Sequence, residues 1–89
     1  MSTKLPLETV MTLQRMVRKI CMETLGFTAG QYALAIEFAQ RYLMAMKEGD
    51  KGLMKDIEEA YINFGTDPEV VEKIKKFLHD RYGKKETGG

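Results

Sequence analysis

The chain of 89 residues has no tryptophan, one histidine, one cysteine and two prolines. A lone Cys21 cannot close an internal disulfide, and with only His79 beside it there is no Cys/His set for a structural zinc site, so no metal is expected. The cysteine usage fits a reducing compartment. No apolar run approaches the roughly 18 residues of a membrane span, and the N-terminal segment holds no uninterrupted apolar stretch of the signal-peptide kind, so a cytoplasmic location is expected. Residues 9–22, TVMTLQRMVRKICM, contain no acid and would suit a transit peptide, but the same period continues along the chain and favours a helix of the fold. Neither charge is in excess: 14 Lys and Arg stand against 13 Asp and Glu, a net +1. That balance lacks both the strong positive field of a typical nucleic-acid binder and an acidic tail.

What is present is ordinary for a folded domain: 44% hydrophobic and 30% charged residues, too apolar for a disordered chain. Surface scaling for this size predicts that folding buries roughly 64% of the accessible area, which supports one small domain. Residues 1–83 are expected to form it, and residues 84–89 to be a flexible C-terminal tail.

Apolar residues recur at three- and four-residue intervals, so the expected fold class is all-α, a compact four-helix array of bundle or orthogonal type, with helices at about 6–25, 29–48, 51–64 and 67–82. The last has the clearest stripe, Val70, Val71, Ile74, Phe77, Leu78 and Tyr82. Asp67 can cap it with Pro68 in the first turn, Thr66 and Glu69 offer an alternative capping box, and Gly83 predicts a left-handed stop. The third segment repeats the stripe with Leu53, Met54, Ile57, Ala60, Tyr61 and Phe64, read as inward, between a Gly49-to-Gly52 turn and Gly65. Its short link to the last segment predicts that the two pack as neighbours. The second segment opens with a Thr28/Gln31 capping box and a Phe27/Tyr32 staple, and it is apolar around much of its circumference, as a central helix would be. The first is expected to run to Leu25, with Gly26 ending it. Charge is uneven. Lys4, Arg15, Arg18 and Lys19 against Glu8 and Glu23 give +2 over residues 4–25, whereas Lys51 and Lys55 against Asp50, Asp56, Glu58 and Glu59 give −2 over residues 50–65.

No catalytic constellation emerges, and a non-enzymatic protein without cofactor is expected. His79 lies on the polar side of the last helix, and Asp80, adjacent in sequence, faces another way. Cys21 sits on an apolar stripe as a small hydrophobe. The acids near residues 50–59 do not follow calcium-loop spacing, and the glycines follow no phosphate-binding pattern. Two binding readings remain. Met11, Met22 and Met44 fall outside or at the edge of the inward arcs, which predicts an apolar patch for a protein partner, either a second copy or an amphipathic partner helix. The alternative is weak nucleic-acid binding through Arg15, Arg18 and Lys19, with help from Lys84 and Lys85. A helix-turn-helix made of the last two helices is disfavoured, because Asp67, Glu69 and Glu72 would meet the phosphates.

Overall fold

Local hydrogen bonds close most of the helix ends, and the first helix alone opens without a side-chain cap, after Pro6. The computed structural model describes residues 5–24, 26 and 28–83, and it contains four helices: α1 (Leu7–Met22), α2 (Ala29–Glu48), α3 (Lys51–Phe64) and α4 (Pro68–Tyr82). Three starts are capped by side chains: the Gln31 N–H donates to Thr28 Oγ1 at 3.2 Å, that of Leu53 to Asp50 Oδ1 at 3.0 Å, and that of Glu69 to Asp67 Oδ1 at 2.8 Å. At the far ends, Gly49 (φ 72°) and Gly65 (φ 112°) adopt the left-handed conformation that reverses the chain. There the N–H groups of Gly49 and Asp50 bond the carbonyls of Met46 and Ala45, and those of Gly65 and Thr66 bond Ile62 and Tyr61, the paired bonds of a Schellman stop.

Three local expectations are corrected. Helix α1 ends at Met22, before residue 25, because the Ile20 carbonyl is taken by the Thr24 hydroxyl (2.9 Å) and the Glu23 N–H (3.1 Å). The Thr24 N–H turns back to Cys21 instead, and Gly26 lies in the connection that follows. Gly83 keeps a right-handed conformation (φ −94°), its N–H still bonded to the His79 carbonyl, so it is no left-handed stop. The Thr66/Glu69 box does not form, since Thr66 is buried and its hydroxyl has no hydrogen-bond partner. Helices α3 and α4, with only residues 65–67 between them, do pack as neighbours, though they touch less than any other pair of helices in contact. Lys4, Leu25, the Phe27 half of the staple, Lys84, Lys85 and the 84–89 tail lie outside the described residues.

Helix α2 is the centre, packed against all three others. Phe38, Leu43, Leu13, Val17, Val71, Ile74 and Leu78 are fully buried around it. The radius of gyration, 12.7 Å, is close to the roughly 12 Å expected of a compact chain this long. Aromatic rings link the helices in a row. His79 meets Tyr42 edge-on at 5.7 Å, Tyr42 meets Phe38 at 5.3 Å, Phe38 meets Tyr61 at 5.8 Å, and Tyr61 meets Phe64 at 5.9 Å. The row runs from α4 through α2 to the outer end of α3. No described helix is long and apolar enough to cross a membrane.

Candidate docking groove between α2 and α3

At about 100° per residue, the α3 stripe spreads over an arc of about 120°, wider than the single helix face that covers it. Tyr61 is buried, and Met54 and Ile57 are half-buried against the core. Leu53 (40% exposed), Ala60 and Phe64 (70% exposed) fall on the other edge and stay open, so the reading of the whole stripe as inward is corrected. This edge and α2 form a groove of about 460 Å³. Buried Ala45 and Tyr61 line its depth, Met44, Leu53, Ile57 and Phe64 its apolar walls, and Arg41, Glu48 and Asp56 its charged margin.

The groove wall is anchored from beneath. The Tyr61 hydroxyl donates to Glu37 Oε1 at 2.7 Å, and burial together with that bond pushes the phenol up to about 12. Lys75 of α4 holds Glu58 of α3 at 2.9 Å and Glu72 at 3.4 Å. Burial alone would lower the Lys75 ammonium, but the two carboxylates more than offset it and leave it raised. This pair is the main polar tie between α3 and α4.

The methionines do not gather on one surface. Met44 is half-buried in the α2/α3 groove. Met11 (45% exposed) lies in a second, more polar groove between α1 and α4, and Met22 (70% exposed) is the last residue of α1. Arg15, Arg18 and Lys19 are all exposed on α1, and Arg15 shares the second groove with Glu8 and with Arg81, a cation the sequence reading had not singled out. Leu7, Leu53 and Phe64 are exposed as well, which their periodicity does not indicate. Their one sequence signal is position at a helix end, where fewer neighbours can cover a side chain.

Tyr42, His79 and Cys21 each have structural surroundings that the fold supplies. The Tyr42 hydroxyl lies 2.9 Å from His79 Nε2, tying α2 to α4, so His79 is more than a solvated helix residue. Burial pushes the Tyr42 phenol up, which opposes phenolate formation. Cys21 is buried and its thiol is also pushed up by burial, the opposite of nucleophilic activation. Among the described residues, no three His, Cys, Asp or Glu side chains come together as a metal site would require. No protein family, curated protein or solved structure matches this chain.

Proposed function

We propose that this chain is a non-enzymatic protein-interaction module whose α2/α3 groove receives one face of an amphipathic helix carrying apolar anchors and basic residues. The observation that carries this reading is the pair of exposed anchors, Leu53 and Phe64, standing on an apolar groove closed below by buried Tyr61. They are 11 residues apart, three helical turns, so both lie along one edge of α3. Asp56 and Glu48 outweigh Arg41 on the charged margin, and this acidic excess favours a basic guest.

A displayed library of amphipathic helices about five turns long tests this on the folded chain. Helices with basic flanks should be enriched, and the double variant Leu53→Gln/Phe64→Lys should weaken them by about tenfold or more, as loss of central anchors does. Failure to enrich any helix, or binding indifferent to that variant, overturns the reading. Salt-sensitive binding of mixed-sequence RNA or DNA that disappears in Arg15→Gln/Arg18→Gln/Lys19→Gln would put nucleic-acid recognition in its place.

A further inference from the structure

The described residues expose five large hydrophobic side chains, and they fall on two helices only: Leu7, Met11 and Met22 on α1, Leu53 and Phe64 on α3. On α1, Leu7, Met11, Arg18 and Met22 occupy an arc of about 60° at 3.6 residues per turn. This outer stripe is therefore apolar at its ends and cationic between them, with Arg15 and Lys19 exposed beside it. The α3 edge carries an acid, Asp56, between anchors at the same spacing. Met11 and Met22 are 11 residues apart, as are Leu53 and Phe64, a span of about 16 Å in each case. Asp56 lines the groove between Leu53 and Phe64. Laid along α3 with the two anchor pairs matched, an antiparallel α1 brings Lys19 opposite Asp56, whereas the parallel register puts Gln14 there with Arg15 one residue beyond.

Resting on the docking reading above, we infer that the occupant of the α2/α3 groove is the outer face of α1 from a second copy of this chain. A chain cannot fill its own groove in this way, because its α1 is packed on α2 and α4 and makes no contact with α3. The contact is heterologous, with one face used on each partner and the other left free, and such contacts propagate head to tail unless the rotation closes a ring. The basic stripe of α1 then serves to orient a neighbouring copy, and the dipolar charge distribution along the chain is the recognition signal.

Sedimentation of the full chain from micromolar to millimolar concentration, at low and high salt, tests this. The mean mass should rise with concentration past that of two chains, and less steeply in high salt. Met11→Gln/Met22→Gln and Leu53→Gln/Phe64→Lys should each remain single chains, while their equimolar mixture, with one intact α1 face and one intact groove, should form a complex that stops at two. Should either double variant misfold, the exposed-charge variants Arg18→Glu and Asp56→Arg replace them: each alone should associate less than the wild type, and the mixture more than either. A wild type that plateaus at two copies, a mixture that stays monomeric, or a double variant that still polymerises overturns the inference. A single-chain wild type whose groove still enriches displayed helices overturns self-docking alone, and one that enriches none overturns the docking reading as well.

Discussion

Helices α3 and α4 place their first five apolar residues at the same intervals, yet burial differs at four of those positions. Leu53 is 40% exposed where Val70 is 3%, Met54 is half-buried where Val71 is fully buried, and Ile57 is half-buried where Ile74 is fully buried. Only Tyr61 keeps pace with its counterpart, Leu78. The difference lies in the neighbours. Helix α4 packs on α2 and also on α1, so both flanks of its stripe find cover, whereas α3 leans chiefly on α2 and buries one flank. An amphipathic stripe states how much apolar surface a helix offers; the number of helices around it states how much is covered.

The sharpest way to break this comparison is the same truncation at matched positions. Ile74→Ala should cost about 2–5 kcal/mol, as a fully buried isoleucine does. Ile57→Ala should cost about half as much, because part of its side chain never left water. Urea midpoints at constant m-value decide it. Equal losses would mean that α3 is as much core as α4.

Next in size is the anchor that holds α3. Tyr61→Phe removes a hydrogen bond to a carboxylate and should cost about 1.5 kcal/mol, at the low end for charged acceptors because Glu37 can turn to water. The pH dependence sharpens the test. The Tyr61 phenol is raised from 10.0 to about 12, so the folded state holds that proton more tightly; this contribution is complete below pH 10 and is lost as pH rises toward 12. Tyr42 and Lys75 are raised as well and add to the same alkaline loss, so Tyr61→Phe should make the decline in stability shallower without removing it. A decline of unchanged steepness in the variant would contradict the assignment.

A gain is expected between the two helices. Thr66 is 2% exposed and its hydroxyl is unpaired, so Thr66→Val keeps the shape, removes the unsatisfied group and should stabilise by about 1 kcal/mol. Thermal denaturation should report a higher midpoint; a fall would show that the hydroxyl is bonded in solution. The smallest effect belongs to the open flank. Leu53→Gln should change stability by less than about 0.5 kcal/mol, as at other exposed positions. A larger loss would place Leu53 under cover.

Most of the fold was legible in the sequence, for identifiable reasons. The bounds of α2 and α3 follow from Thr28, Asp50, Gly49 and Gly65, residues whose capping roles depend on atoms a few positions away. The end of α1 was misread because Gly26 is a stronger punctuation mark than Thr24, whose hydroxyl had already diverted the last helical carbonyl. The candidate site was legible only in part. Met44 was chosen for lying off an inward arc and does line the groove, but Leu53 and Phe64 lie on the arc that periodicity assigns to the core. A helical wheel cannot separate the two flanks of one stripe.

The sequence by itself determined the number of helices, their approximate bounds, the centrality of α2 and the opposite charge of the α1 and α3 segments, because period, caps and local charge are properties of residues within a turn or two of one another. Tertiary structure alone decided that Tyr61 reaches Glu37 across 24 residues and Tyr42 reaches His79 across 37, and that α3 turns one flank of its stripe to solvent. Those outcomes depend on which helices meet and at what rotation. A hydrophobic stripe is satisfied by any apolar neighbour, so packing of the whole chain selects among partners that the local pattern leaves equivalent.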